Sequence, residues 1–290
     1  MHRAMKVESI DGDHGECEVR QAPRHFAEAM YGSEWDFFTR RELPRCRYIL
    51  ATMPRAGSTL CSTRLWQTGL LGAPLEYLNF GLARRLFERL GYPLKEVRSD
   101  AIRMGSYWRN LQQLRTSPNG VFGCKLFVCN LAYMANRVPD FLKSIRPTHV
   151  VYLTRMDLVG QAISYSRAQR SRAWFGGVRV SCTPEYDFEH IRRCLVSLCW
   201  QMAVWERLFK SWGVPLLRVY YEQLCARPRR VVSEVASHLG VPDDPSAKLS
   251  LPLLVRQADR ISSEWRIRFE QDANESAGDG KHEIARANTA

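Results

Sequence analysis

The stretch Arg47-Tyr48-Ile49-Leu50-Ala51-Thr52-Met53-Pro54-Arg55-Ala56-Gly57-Ser58-Thr59-Leu60 decides the fold. Arg47 to Thr52 reads as a strand, compact from Tyr48 onward; a tight turn of small residues then opens, at Ser58 and Thr59, into a helical pattern carrying Leu60, Leu65, Trp66 and Leu70. A strand, a short loop and a helix in that order bring backbone N–H groups to the positive end of the helix, where an anion is stabilised. Gly57, Ser58 and Thr59 taken alone read equally well as an ordinary turn and cap. The turn is not a GxxxxGK[ST] nucleotide loop, because that motif's glycine and lysine are missing and Arg55 is the one basic side chain in it.

Working outward, three more strand signals follow at Gly120 to Leu126, Thr148 to Thr154 and Pro215 to Tyr220, each leading into helix-like sequence. One such helix spans Leu158 to Arg170. A longer one spans Asp187 to Trp212, with Ile191, Leu195, Leu198, Met202, Val204, Trp205 and Leu208 on its apolar side. The alternation predicts an α/β fold, a parallel sheet flanked by helices on both faces. No internal repeat and no Pro/Gly/Ser-rich linker divides the chain. A mobile N-terminal segment at 1–30, a single domain at 31–270 and a disordered tail at 271–290 are expected.

Composition is that of an ordinary globular protein: of 290 residues, 45% are hydrophobic and 25% charged, which excludes disordered, collagen-like and coiled-coil chains. The net charge is +12, and only seven of the 42 basic residues are lysines. Arginine's planar fork suits phosphate and sulfate oxygens, so an anionic ligand is expected. The arginines are scattered over helices rather than interleaved with aromatics, so nucleic acid is not the expected partner. No signal peptide or transmembrane segment is expected. Nine cysteines, an odd number without a CxxC pair, read as reduced, buried thiols of a cytoplasmic protein, and no His/Cys spacing suggests a metal. A peripheral membrane contact and a homodimer stay open.

His149-Val-Val-Tyr-Leu-Thr-Arg155 is a buried strand ending on a basic residue, and Ser164 follows on the next helix. Such a pair can converge on one phosphate outside the carboxyl edge of the sheet. An ion pair between Arg155 and Asp157 and simple packing of Ser164 is the plainer alternative.

With these elements in place, the chain resembles sulfotransferases that use 3′-phosphoadenosine 5′-phosphosulfate, and most closely the bacterial trehalose 2-sulfotransferase family of carbohydrate sulfotransferases. The resemblance lies in Tyr48 to Cys61, Gly72 to Tyr77, Thr116 to Leu126, Val151 to Ala168, Arg218 to Leu224 and Arg256 to Trp265. It implies a P-loop-like sulfotransferase fold in which Arg55, Ala56, Gly57, Ser58 and Thr59 hold the 5′-phosphosulfate. It further implies that Arg155 and Ser164 hold the 3′-phosphate, joined by Arg256, and that Tyr221, in the Y-E-x-L element, lies near the adenine.

Sulfonate transfer to an alcohol needs a base, positive charge on the sulfonate and donors to the leaving phosphate, and demands no metal. Steroid and phenol sulfotransferases carry a base histidine where this chain has Phe127. The resemblance moves the base to Glu76, with Lys125 and Arg55 stabilising charge on the transferring group. Pro54, Tyr77, Asn79, Phe80, Arg167 and Trp174 would line the acceptor cleft, for a carbohydrate, glycolipid or lipopolysaccharide-type alcohol. The family's polar and acidic sugar contacts are replaced here by Pro54 and Ala73. The competing functions are a P-loop-type ATP-dependent kinase, against which the missing lysine argues, and a non-enzymatic basic anion-binding protein.

Overall fold

In the computed structural model, which describes residues 29–37, 43–93, 100–142, 145–174, 184–242 and 260–287, the four apolar runs pair into one sheet. The strands are β1 (Cys46–Thr52), β2 (Val121–Leu126), β3 (His149–Thr154) and β4 (Leu216–Tyr220). They lie in the order β2-β1-β3-β4 and every pair is parallel. Parallel neighbours require crossover connections, so all four carboxyl ends emerge at one edge.

Side chains that alternate along a strand must bury on opposite faces, and they do. Ile49, Ala51, Phe122, Cys124, Leu126, Val150 and Tyr152 belong to one cluster; Cys46, Tyr48, Leu50, Val121, Val151, Leu153 and Val219 belong to the other. The second face is covered by α1 (Ser58–Gln67), α8 (Tyr221–Ala226) and α9 (Pro228–His238), through Cys61, Leu65, Leu224, Val231 and Val235. The first is covered by α3 (Ala101–Arg115), α6 (Leu158–Ser171), α7 (Phe188–Trp212) and α10 (Arg260–Ala287). Short helices α2 (Arg84–Arg89), α4 (Val128–Arg137) and α5 (Pro139–Leu142) complete the chain. The α7 helix starts where the pattern placed it: Asp187 caps it by accepting from His190 N at 2.9 Å. Trp205 of α7 is fully buried and its indole donates to Thr52 O at 3.0 Å, tying the helix to the end of β1.

Residues 1–28 lie outside the described residues, but Met30 and Tyr31 are already buried in the larger cluster. At the other end the expected tail is replaced by helix as far as Ala287. Trp265 and Phe269 dock against Tyr186 and Phe188, and a docked first half supplies the nucleus from which further turns propagate. Cys46, Cys61, Cys124 and Cys194 are buried free thiols, whereas Cys129, Cys199 and Cys225 are exposed, which corrects the expectation for those three. They sit on outward positions of α4, α7 and α8, while Cys17 and Cys182 lie outside the described residues. Among the described residues no helix is long and apolar enough to cross a membrane, and no cluster of His, Cys, Asp or Glu could hold a metal ion.

Candidate active site

The carboxyl edge of the sheet gathers three groups of polar side chains. The first is the loop after β1. Gly57 is the N-cap of α1, with φ 80° and ψ 21° and no side chain capping the helix. The N–H groups of the first turn have no partner inside the helix, so this end presents donors and positive potential. A Cβ on Gly57 would stand 2.3 Å from Cδ2 of Tyr221, so glycine is required here both by conformation and by space.

Arg55 has a φ of 65°, strained for a residue with a side chain, and it is held on all sides. Its Nε donates to Ser164 Oγ at 2.9 Å and its Nη1 to Trp174 O at 2.5 Å. The neighbouring Pro54 carbonyl accepts from Gln161 Nε2 at 2.7 Å. Burial, and then the charges of Arg155 and Arg167, push the Arg55 guanidinium down from 12.5 to about 10. Three arginines therefore repel one another across this loop.

The second group follows β3. Arg155 donates through Nη2 to Asp157 Oδ2 at 3.1 Å, and its guanidinium lies 5.3 Å from the Tyr221 ring centroid. The Arg155 Nε is buried, without a hydrogen-bond partner, 3.9 Å from Glu222 Oε1. Asp157 caps α6 through Gly160 N and pairs with Arg266 of α10. Burial opposes ionisation of Asp157, but the Gly160 amide, Arg266 and Arg155 outweigh it and hold the carboxyl below its ordinary value. Gly160 leaves no room for a Cβ, which would meet Asp157 Oδ2 at 2.1 Å. Glu222 accepts from the backbone N–H groups of Met156 at 3.2 Å and Asp157 at 3.3 Å.

The third group surrounds Glu76. Leu75 bridges to Cys124 alongside β2, where Leu75 O accepts from Lys125 N at 2.9 Å, and this brings the next residue over the Lys125 side chain. Lys125 Nζ pairs with Glu76 Oε1 at 3.0 Å, with side-chain exposures of 2% and 12%. Asn79 Nδ2 donates to the other oxygen, Oε2, at 2.9 Å. Lys125 thus is no solvent-seeking strand end but half of a buried ion pair. It lies opposite Leu50 in the β1–β2 register, two residues before the loop begins.

Two expected acceptor contacts are corrected. Tyr77 is fully buried, donates to Ala73 O and stacks on Phe122; Phe80 is buried against Phe87 and Tyr133. Both turn inward because the segment after Glu76 folds over the core, and Asn79 faces Glu76 instead. Arg155 and Ser164 do not meet directly: Ser164 binds Arg55, and Arg155 takes the Asp157 pair. Arg167 donates to Ser262 Oγ of α10 and lies over the Trp265 ring, while Trp174 is 42% exposed beside Tyr165. Arg256 lies outside the described residues. Reasoning from sequence missed Asp157 as a cap, Gln161, Glu222 and Arg266. The D-x-x-G spacing of Asp157 and Gly160 was legible, whereas Gln161 and Arg266 are joined to the site only by the tertiary fold.

The chain is similar to several known proteins. A family model described as Stf0 sulphotransferase matches residues 47–272. A trehalose 2-sulfotransferase of Mycolicibacterium smegmatis is 30% identical, covering 78% of this chain and 95% of that protein. The trehalose 2-sulfotransferase of Mycobacterium tuberculosis is 26% identical with the same coverages, 78% and 95%. Among solved structures, a sulfotransferase from Mycobacterium avium matches at 14% identity and a TM-score of 0.43, covering 71% of this chain and 66% of that one. The sulfotransferase domain of the curacin biosynthetic pathway matches at 15% identity and a TM-score of 0.40, covering 77% of this chain and 83% of that one.

Proposed function

Because the chain belongs to the Stf0 sulphotransferase family, we propose that it moves the sulfonate group of 3′-phosphoadenosine 5′-phosphosulfate to a hydroxyl of a carbohydrate or glycolipid acceptor. The observation that carries this reading is the gathering of Arg55, bound to Ser164, and Arg155, against Tyr221, at the N-terminus of a helix that no side chain caps. Several guanidiniums repelling one another are relieved by a ligand with anionic groups at two places, which is the shape of a nucleotide phosphorylated on both sides of its ribose. Family membership sets aside the kinase and the non-enzymatic alternatives.

In this reading the first-turn amides of α1 and Arg55 hold the 5′-phosphosulfate, and Arg155 meets the 3′-phosphate. Tyr221, packed between Gly57 and Arg155, forms the floor under the nucleoside. Glu76 takes the proton of the acceptor hydroxyl as its oxygen bonds to sulfur. The bond from sulfur to the 5′-phosphate oxygen breaks in line, and Arg55 and Lys125 stabilise charge on the sulfonate oxygens and the leaving phosphate. None of these roles needs a metal. Trp174 offers an exposed aromatic face of the kind a sugar ring's C–H groups pack on. Residues 31–270 act as one catalytic domain, and the free thiols fit a reducing, cytoplasmic compartment.

Calorimetry with 3′-phosphoadenosine 5′-phosphate and adenosine 5′-phosphate tests the donor. The bisphosphate is expected to bind at least about tenfold more tightly, a difference of about 1.4 kcal/mol, and Arg155→Ala to remove most of that preference. Equal affinities in the wild type would end the donor reading.

A further inference from the structure

We infer that Glu222 is a positioning residue for donor recognition, holding Arg155 in the orientation that selects the 3′-phosphate; the inference rests on the donor reading above. Arg155 stands at the end of β3, where the chain turns through Met156 and Asp157 into α6. Two backbone N–H groups of that turn, at Met156 and Asp157, point at a single acceptor, the Glu222 carboxylate. The same Oε1 that accepts from Asp157 faces the Arg155 Nε at 3.9 Å. Glu222 comes from the start of α8, after β4, which is the neighbour of β3 in the sheet, so a rigid pairing places it.

Asp157 holds Nη2, Glu222 Oε1 stands 3.9 Å from Nε without a hydrogen bond, and among the described residues Nη1 makes no hydrogen bond either. The residue before Glu222 finishes the arrangement. The Tyr221 ring lies against the Arg155 guanidinium and fills the space over Gly57. One dipeptide thereby joins the 5′-phosphosulfate loop to the 3′-phosphate arginine, and its two side chains fix the arginine from a face and from an edge.

Removing the carboxylate has two opposing effects. At 3.9 Å the Arg155–Glu222 contact is too long for a direct hydrogen bond, so losing its competition for Arg155 strengthens phosphate binding only slightly. Glutamine keeps one acceptor oxygen but puts an NH2 donor where the other stood, so one of the two backbone amides faces a donor and the turn is unpinned. The second effect is the larger one.

The measurement is the ratio of affinities for 3′-phosphoadenosine 5′-phosphate and adenosine 5′-phosphate. Glu222→Gln is expected to lower it about tenfold, the lower end of what losing a group that orients a ligand-binding side chain costs, with adenosine 5′-phosphate affinity within about twofold of wild type. In an Arg155→Ala background the same change is expected to leave the ratio alone, since it acts through Arg155. A wild-type or increased ratio in Glu222→Gln overturns the inference, as does a further fall in the Arg155→Ala background. If Glu222→Gln does not fold, Glu222→Asp keeps the charge and is expected to show a smaller fall, and a wild-type ratio there overturns it equally. A wild-type protein that does not distinguish the two nucleotides overturns the donor reading instead, and is recognised before any variant is made.

Discussion

The Glu76 carboxylate has one oxygen on a buried ammonium and the other on an amide, and that arrangement sets both its chemistry and its cost of removal. Lys125 and Asn79 each hold one oxygen and so aim the Glu76 carboxylate, as a base must be aimed before an alcohol arrives. Glu76→Gln is expected to lower turnover by roughly two to four orders of magnitude while donor affinity changes little. It also strands the Lys125 ammonium, which is 2% exposed, so the variant should lose about 3 kcal/mol of stability. Turnover is therefore compared at a temperature where a melting curve shows the variant fully folded; wild-type turnover there would make Glu76 structural. The sequence made Glu76 and Lys125 visible as separate candidates, but not as a pair, because they stand 49 positions apart and meet only through the Leu75–Cys124 bridge. Tyr77 and Phe80 were misread for the converse reason. An aromatic ring next to a candidate base is equally compatible with a cleft wall and a core, and only packing decides.

At the level of elements, strands were the most legible part of the chain, since buried parallel strands are short apolar runs with sharp ends. The expected boundaries lie within one residue of β1, β2, β3 and β4. The C-terminal helix was illegible past residue 270, because its Asn, Asp and Gly residues carry weak intrinsic preference and its docking partners, Tyr186 and Phe188, are distant in sequence. The amino edge of the sheet carries its own device. The His149 and His238 rings meet edge to face at 5.2 Å, next to the start of β3 and the end of α9. Burial lowers both from 6.5, and for His238 the charge of His149 lowers it further. A base whose folded value is depressed leaves the native state binding fewer protons, so stability is fully present above pH 6.5 and declines as acid protonates the unfolded chain first. The melting temperature should fall between about pH 7.5 and 5.5, and the slope should be shallower in His238→Gln. An unchanged slope in that variant would show that the pair stays hydrated.

Across the whole molecule, the arginine cluster and Glu76 are held by different parts of the chain. The arginine cluster hangs on the sheet's carboxyl edge, with α6 and α10 locked together by Asp157–Arg266 and by Arg167 on Trp265. The Glu76 side rests on the segment before β1. Tyr31 lies edge-on to Tyr77, and burial, then the nearby Glu76 charge, pushes its hydroxyl well above the ordinary value. That segment is pinned by Asp36, which is 2% exposed and pairs with the fully buried Arg115 of α3 at 3.1 Å and with Arg89 of α2 at 2.6 Å. Arg115 also donates to Met30 O and Gly32 O, so one arginine closes the loop that carries Tyr31. Asp36→Asn removes the charge that compensates Arg115 and should cost about 3–5 kcal/mol, a loss read as a large fall in melting temperature. Because Asp36 acts on the floor beneath Tyr77 and not on the arginine cluster, the folded variant should bind 3′-phosphoadenosine 5′-phosphate like wild type and lose turnover. Equal losses in nucleotide affinity and turnover would show instead that the two sides of the site share one support, and that Asp36 stabilises the sheet edge as a whole.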